Sequence, residues 1–399
     1  MANLFSDLKV LDIATYIAGP GATTILSDFG AEVIKIEAPG GDPYRNLFKI
    51  KPNPESPKNY MWQVTNRNKR SLTLNLKSPK AKDILHKLIG WADVLVVNYP
   101  PHVRERLNLT YEDVSAINPR IIYADITGYG DAGPDANEPG FDITAYWART
   151  GLMDATRDAG SPPALPVPGM GDQPTAMTLY ASIVTGLYRR EKTGQGCRVS
   201  TALVAVGTWG AAAWVQAALE GARFSGHVDR QHPPNALLNT YQTSDGRWFL
   251  LVAEGEERWV PFLKAIGHPE WATDERFSEE SRRLAHADEL THLLEEVFAA
   301  HSFASWRAAL DQARIPLSLM QTIEELAHDP QVLANHFLVP IADGSQTPNL
   351  TVDSPVYIEQ ETKVPPRVAP APGQHTQEIL KELAYDEKAI AALRADGTI

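Results

Sequence analysis

The first 130 residues switch repeatedly between two hydrophobic periods, and this alternation restricts the fold more than any other feature of the chain. Leu8–Ala14 is a short, largely apolar strand, and Gly21–Phe29 carries Ala22, Ile25, Leu26 and Phe29 at helical spacing. Glu32–Glu37 returns to a strand through Val33, Ile34 and Ile36. Ser71–Leu76 is a further strand, and Ser78–Trp91 reads as an amphipathic helix with Ser78 as N-cap and Pro79 at its first position. Asp93–Val97 (strand), Tyr111–Ile117 (helix) and Arg120–Ile126 (strand) continue the series. Strand–helix–strand units in succession require right-handed crossovers, which predicts an α/β fold with a doubly wound parallel sheet.

The pattern then changes twice. From Gly128 to Pro174 the chain is rich in Gly, Pro and Asp, with a single helix predicted near Thr144–Arg149; a long irregular stretch of this kind inside a compact domain is often functional. Two apolar helical runs follow, Pro174–Arg190 and Val199–Gly221. Near Ser225 a second composition begins. Leu238–Thr243 and Arg247–Ala253 alternate around Ser244-Asp245-Gly246, a hairpin signature, and Glu-, Arg- and Trp-bearing helices run from about Glu256 to Gln312. Strand-like Leu350–Glu359, a Pro-rich crossing at Val364–Gly373 and two terminal helices close the sequence. At 399 residues the length allows two or three domains. The expected division is a large domain over residues 1–224, a smaller α+β domain over 225–330, and a part over 331–399 that returns to the large domain.

Composition removes several classes of function. A net charge of -12 and a pI near 5.4 make the chain a poor partner for a phosphate backbone, so no nucleic-acid partner is expected. Cys197 is the single cysteine, which excludes an internal disulfide and any multi-cysteine metal cluster. None of the 11 histidines falls in a metal-ligand spacing, so no metal site is expected. The most apolar run, Ala202–Val215, is shorter than the ~20 residues a membrane span needs and reads as a buried helix. Met1–Leu8 has neither the basic nor the apolar region of a secretory signal; a soluble, cytoplasmic protein is the expectation.

Three segments carry candidate chemistry. Ala18-Gly19-Pro20-Gly21-Ala22-Thr23-Thr24, with Glu37 closing the next strand, imitates a dinucleotide-binding turn. The imitation is poor: Thr24 stands where the third glycine belongs, and Pro20 removes a backbone N–H from the phosphate cradle. A plain strand-to-helix turn is the preferred reading over an NAD site. Asn66-Arg67-Asn68-Lys69-Arg70, with Lys77, Lys80 and Lys82 beyond it, is either a solvated charge run or a phosphate-binding cluster. Asp172, in Met170-Gly171-Asp172-Gln173-Pro174-Thr175, stands just before a periodic helix. It suits an N-cap, and equally a carboxylate held ionised by the helix dipole beside free N–H groups, the equipment of covalent acyl chemistry.

The chain also resembles a known family. Val10-Leu11-Asp12, Ala18-Gly19-Pro20, Gly30–Glu37, Gly41-Asp42, Asn68-Lys69-Arg70-Ser71, Ala92-Asp93-Val94, Asn118-Pro119-Arg120, Gly128-Tyr129-Gly130, Lys192–Gly196 and His375-Thr376 are, in order, similar to motifs of the class III coenzyme A transferases. That superfamily also holds α-methylacyl-CoA racemases, which carry Gly-His-Asp where this chain has Gly140-Phe141-Asp142. Racemisation needs a base on each face of the α-carbon, and phenylalanine accepts no proton, so Phe141 favours the transferase side.

The resemblance implies that Asp172 is the nucleophile, acylated by an acyl-CoA donor, with N–H groups at Gly169–Gly171 or at the helix start stabilising the oxyanions. It implies coenzyme A and acyl-CoA as substrates, no permanently bound cofactor, a small carboxylic acid as acceptor and an interlocked homodimer. CoA contacts carry over to Ala18, to Leu74, Asn75 and Lys77, to Asn98, Tyr99 and Arg106, and to Phe141 and Asp142 at the pantetheine end. There are departures. Ala38 and Ile17 replace an arginine and a glutamine of the formyl-CoA transferases, leaving Lys69, Arg70 or Lys77 to supply charge. The glycine-rich closing loop is replaced by Pro234–Tyr241. These departures, with Pro139–Arg149, lie closer to transferases of 2-hydroxy acids such as phenyllactate; Tyr146 and Trp147 are either acyl-tail contacts or core packing.

Overall fold

The computed structural model describes residues 3–345 and 349–399. Its centre is a six-stranded, all-parallel sheet in which the alternating segments of the N-terminal half take their places. In chain order these are β1 (Lys9–Asp12), α1 (Ala18–Asp28), β2 (Glu32–Glu37), α2 (Tyr44–Leu47), α3 (Tyr60–Asn66), β3 (Arg70–Thr73), α4 (Ala81–Trp91), β4 (Val94–Val97), α5 (Pro101–Leu107), α6 (Tyr111–Ile117) and β5 (Ile122–Thr127). A π-helix, Asp142–Ala148, a short α7 (Leu152–Ala155) and the long α8 (Asp172–Thr193) precede β6 (Cys197–Ala202), α9 (Leu203–Gly210) and α10 (Ala212–Leu219). The strand order β3-β2-β1-β4-β5-β6 reverses direction of growth between β1 and β4, the crevice where open α/β sheets bind ligands.

Each face of the sheet has its own core. Leu11, Ile34, Leu72, Leu95 and Tyr123 face α4, α6 and the C-terminal helices, while Val10, Val33, Val96 and Ala124 face α1 and α8. Strands buried on both faces have no polar side to alternate with, which is why β4 reads as an unbroken Val-Leu-Val-Val run. The C-terminal part returns to this core: α11 (Thr376–Glu382) and α12 (Glu387–Ala395) pack there through Ile379, Leu380, Ile390 and Leu393. His375 and Thr376 cap the outer strand, His375 Nδ1 accepting from the Ser71 N–H (3.1 Å) and Thr376 Oγ1 from the Thr73 N–H (3.0 Å).

The chain divides into two compact units. One contains residues 1–153, 165–221 and 330–399, the other 154–164 and 222–329. Residues 154–164, which the sequence assigned to the large domain, belong to the second unit: their composition is indistinguishable from the rest of the Gly/Pro-rich stretch, and only long-range pairing, such as the Ala159 N–H on the Val228 carbonyl (3.0 Å), draws them there. The second unit contains an antiparallel sheet of β7 (Leu238–Gln242), β8 (Trp248–Val252) and β9 (Leu317–Leu319). Five helical segments of four or more residues lie between β8 and β9, and the core beneath is aromatic, with Tyr241, Phe249, Trp259, Phe262 and Phe298 buried.

Other expectations are revised. The Gly19-Pro20-Gly21 stretch is not a loop but the first turn of α1, where Pro20 loses nothing because its N–H would have no intrahelical acceptor. Helix α4 starts at Ala81 with Lys80 at the N-cap, so Ser78 and Pro79 lie in the preceding turn. Residues 199–202, read as helix, form part of β6: pairing with β5 outweighs local preference. The apolar run that follows is buried only in its first turns, at Leu203, Val206 and Gly207. It splits at Ala211 into α9 and α10, and Trp209 and Leu219 are 81% and 75% exposed. No helix among the described residues is long and apolar enough to cross a membrane.

Four buried charges meet at the C-terminal ends of β1 and β2. Asp12 accepts from Lys69 Nζ (2.9 Å) and from Thr23 Oγ1 (2.8 Å) of α1, and lies 3.7 Å from Lys35 Nζ, which is 3.3 Å from Asp42. Two ammonium groups face two carboxylates, so the cluster is balanced. Burial holds Lys69 down to about 8, against the opposing pull of Asp12, while Asp12 is kept below the ordinary carboxylate range by the two lysines despite burial. Removing one partner strands the other charges. Asp12→Ala is expected to lower stability by about 3–5 kcal/mol, whereas Arg70→Ala, whose partner Glu378 and Glu382 carboxylates are exposed, should cost under about 1 kcal/mol. Urea unfolding of the two variants checks the contrast; equal midpoints would contradict it.

Candidate active site

Asp172 is the first residue of α8, and the turn before it is held by another carboxylate. Asp142 Oδ2 accepts from the Gly169 N–H and Oδ1 from the Gly171 N–H, both at 2.8 Å, and the Asp172 N–H adds a third bond. Asp142 reaches this turn because Gly128, directly after β5, and Gly140 approach so closely that neither has room for a Cβ. The π-helix therefore starts against the end of the sheet. Gly171 has no room for a Cβ either: one would overlap Asp142 Oδ1 and the Tyr146 ring.

This geometry reassigns two expectations. The N-cap residue is Gly171, and the carboxylate that takes the N–H groups of the turn entering α8 is that of Asp142, not Asp172. The N–H groups expected to stabilise an oxyanion are already engaged: Gly169, Gly171 and Asp172 by Asp142, Met170 by the Val167 carbonyl and Gln173 by the Gly169 carbonyl. Asp172, in contrast, makes no side-chain hydrogen bond to any described residue and is only half-buried. Burial raises its pKa to about 7, and the Asp142 charge pushes the same way. Burial first, and then the Asp172 charge, raise the phenol of buried Tyr44, at the start of α2, above its ordinary value. Tyr44 packs with Ile17 and Trp62, and Ile17 Cδ1 lies 3.2 Å from where a Gly169 Cβ would stand. Sequence reasoning missed Tyr44, whose one signal is its place two residues after the Gly41-Asp42 motif.

The residues expected to touch CoA separate into groups. Lys77 and Arg106, both exposed, line one cleft of about 530 Å³ together with Lys82 and His86. Ala18 and Leu74 are buried, so their side chains cannot serve; the Ala18 N–H at the start of α1 makes no hydrogen bond among the described residues. Asn75 lies beside the cleft's chain segment, its N–H on the Thr398 carbonyl (2.8 Å). Asn98 spends its amide on Thr15, accepting from the backbone N–H (2.9 Å) and donating to the carbonyl (2.8 Å), while Tyr99 packs against the core. These two shape the Thr15–Ala18 loop. Phe141 is half-exposed and makes an edge-on contact with Tyr16, ring centroids 5.8 Å apart. Asp142 is buried at the turn before Asp172, and Tyr146 is packed with Ala145, Leu203 and Val206, which favours the core-packing reading of that ring.

Two proposed sources of positive charge fall away. Lys69 is buried on Asp12, and Arg70 is shared among Glu32, Glu378 and Glu382. Glu37, the would-be ribose ligand, is buried, accepting from both Arg45 nitrogens at 2.7 Å and from Ser71 Oγ at 2.7 Å; an NAD site is not built here. A cavity of about 750 Å³ runs between α1 and α8 and is lined by Gly21, Ile25, Gln173, Pro174 and Met177, with Phe337 and Tyr357 opposite. Asp172, Asp142 and Tyr44 do not line it, so it is distinct from the chemistry.

A doubly wound α/β sheet with an unpaired, proton-avid carboxylate at a helix start defines an acyl-transfer protein. The comparisons narrow this. The model of CoA-transferase family III matches residues 5–376, and the chain belongs to that family: it is a class III CoA-transferase. It is 33% identical over 389 residues to (R)-2-hydroxy-4-methylpentanoate CoA-transferase of Clostridioides difficile, covering 97% of each chain. It is also 33% identical over 405 residues to cinnamoyl-CoA:phenyllactate CoA-transferase of Clostridium sporogenes, covering 100% of this chain and 97% of the relative. Among solved structures, a CAIB/BAIF family protein from Brucella suis superposes with a TM-score of 0.86 at 27% identity, over 96% of this chain and 100% of that one. The racemase alternative is not favoured.

Gly171 and Gly90 make a paired test of the turn. Gly171→Ala is expected to cost about 1–3 kcal/mol through overpacking against Asp142 and Tyr146. Gly90→Ala, in α4 with nothing within 4 Å of the new Cβ, should gain about 0.5–1 kcal/mol. Thermal unfolding reads both, and a neutral Gly171→Ala would disprove the crowding.

Proposed function

We propose that the protein moves CoA from an acyl-CoA donor to a small carboxylic acid through covalent intermediates on Asp172. The carboxylate attacks the thioester carbonyl; the C–S bond breaks, giving an aspartyl–acyl anhydride and CoA thiolate. The thiolate attacks the aspartyl carbonyl, releasing the donor acid and leaving an Asp172–CoA thioester. The acceptor carboxylate attacks that thioester and expels the thiolate, which then takes the acceptor's acyl group from the new anhydride and frees Asp172. Every step exchanges one acyl bond for another, so thioester energy is conserved. The observation that carries this reading is the Asp172 carboxylate itself: unpaired, half-buried and disfavoured as an anion, it gains by acylation, which removes its charge.

The cleft shared by Lys77, Lys82, His86 and Arg106 supports a phosphate-binding role at the nucleotide end of CoA, since exposed cations on one concave surface favour an anionic ligand. The free Ala18 N–H, at the positive end of α1, supports a backbone contact nearer the reaction centre. For the acceptor we propose a 2-hydroxy acid with an apolar or aromatic tail. The relatives from Clostridioides difficile and Clostridium sporogenes, whose names specify 2-hydroxy-4-methylpentanoate and phenyllactate, support this class. We further propose that the protein is a homodimer. The exposed apolar surface of α9 and α10, with Trp209 and Leu219 on helices too apolar to face water alone, supports a second copy of the chain as its cover.

Intact-protein mass spectrometry after mixing with 4-methylpentanoyl-CoA or cinnamoyl-CoA tests the mechanism. The wild type should gain an acyl or CoA adduct that hydroxylamine removes, and Asp172→Ala should show none; turnover retained in Asp172→Ala would refute the assignment. Because only the ionised carboxylate attacks, kcat/KM should fall about tenfold per pH unit below about 7 and level off above it. Light scattering should give twice the chain mass of 43.9 kDa, and Trp209→Glu together with Leu219→Glu should shift the protein towards the monomer.

A further inference from the structure

Asp142 is a buried carboxylate with no cation to balance it. Among the described residues its oxygens are met by backbone N–H groups alone, from Gly169, Gly171 and Asp172, and no lysine, arginine or histidine of those residues acts on either Asp142 or Asp172. The charged and titratable groups facing the pair are few: Asp142 and Tyr146 from the π-helix, Tyr44 from α2 and Asp172 from α8. A fold that needed only to satisfy three N–H groups would not require a full negative charge beside a second one. Like charges held beside one another away from bulk water repel strongly enough to change reactivity. The turn's other ties run forward into α8, through the Gln173 N–H on the Gly169 carbonyl (3.0 Å) and Thr175 Oγ1 on the Gly171 carbonyl (2.8 Å); on the side before it, Gly169 has φ +91°, the Met170 N–H bond to Val167 is long at 3.3 Å, and residues 159–165 are almost all exposed.

We infer that Asp142 is a positioning residue for Asp172, its carboxylate fixing the Gly169–Gly171 turn through paired N–H bonds and setting a negative charge beside the nucleophile. The inference rests on the proposed role of Asp172 and deepens it. The mechanical effect is to fix where α8 begins, and with it the direction in which Asp172 projects. The electrostatic effect is to make the Asp172 anion more eager to form a bond. When Asp172 attacks a thioester its charge passes to the departing thiolate, and the repulsion from Asp142 is relieved; when the acyl group leaves, the repulsion returns. Asp142 thus acts on the nucleophile rather than on CoA, which separates this role from the pantetheine contact expected from the resemblance.

The test compares Asp142→Asn and Asp142→Glu with the wild type by steady-state kinetics from pH 5 to 9, using cinnamoyl-CoA and phenyllactate, or the best acyl-CoA and acid found by the adduct assay. Asp142→Asn keeps the shape but removes the charge and turns one acceptor into a donor facing an N–H. It should move the acid limb of kcat/KM about one pH unit lower and reduce kcat at pH 8 about tenfold or more, with KM for acyl-CoA changed less than about threefold. Asp142→Glu should recover part of kcat and return the limb towards its wild-type position. An unmoved limb with unchanged kcat overturns the inference, as does a raised KM at constant kcat, which would make Asp142 a substrate contact. Should the Asn variant fail to fold, infrared difference spectra of Asp142→Ser and wild type decide: an Asp172 carboxylate that protonates at lower pH in Asp142→Ser than in the wild type supports the coupling, and one that protonates at the same pH overturns it. Loss of the adduct in Asp172→Ala, measured separately, reports on the nucleophile itself, so the two ideas fail by different outcomes.

Discussion

The charges of Asp12, Lys35, Lys69 and Asp42, buried at one edge of the sheet, fix almost everything that surrounds the reaction centre. Lys69 Nζ donates to Asp12, to the Pro20 and Thr65 carbonyls and to Asn66, drawing α1 and α3 together. Lys35 donates to the Ala14 carbonyl and pairs with Asp42, whose other oxygen accepts from the Tyr16 and Tyr44 N–H groups (3.3 and 3.0 Å). One network therefore sets the Thr15–Ala18 loop, the entry to α2 and the position of Tyr44 beside Asp172. Charges buried this deeply are retained at a desolvation cost, and their contribution is to geometry more than to stability.

The second half of the site is organised by the opposite principle. Around Asp142 and Asp172 there is no compensating cation, and the backbone alone supplies the partners. Close approach replaces charge pairing: Gly128 against Gly140 brings the π-helix to the sheet, Gly171 admits the Asp142 carboxylate, and Gly21 lets α1 press on Ala176 of α8. A charge-balanced region fixes the Thr15–Ala18 loop and the entry to α2, while beside it two carboxylates without a cation among the described residues stand at the start of α8.

Much of the fold was legible along the chain. The parallel sheet follows from the alternation of periods, and β2 and α6 have the bounds their hydrophobic spacing predicts. The failures have common causes. β6 reads as helix because an edge strand with alternating exposure carries little hydrophobic signal, and its pairing with β5 comes from residues some 75 positions earlier. Charge runs mislead in the same way: Arg67, Lys69 and Arg70 look like a phosphate site until their acidic partners, distant in sequence, are seen beside them. The apolar run at α9 and α10 reads as buried because hydrophobicity records that a surface avoids water, not whether its own chain covers it.

Sequence by itself determined the layered α/β architecture, the family and the place of Asp172 at a coil-to-helix junction, because these rest on local periodicity and on motifs of adjacent residues. Tertiary structure alone decided that Asp142 holds that junction, that the neighbouring N–H groups are already taken, and that Lys77 and Arg106 share a cleft while Lys69 does not join them. Each of these depends on which side chains meet across tens of residues. Such meetings are set by packing and charge balance in three dimensions, and no periodicity along the chain encodes them.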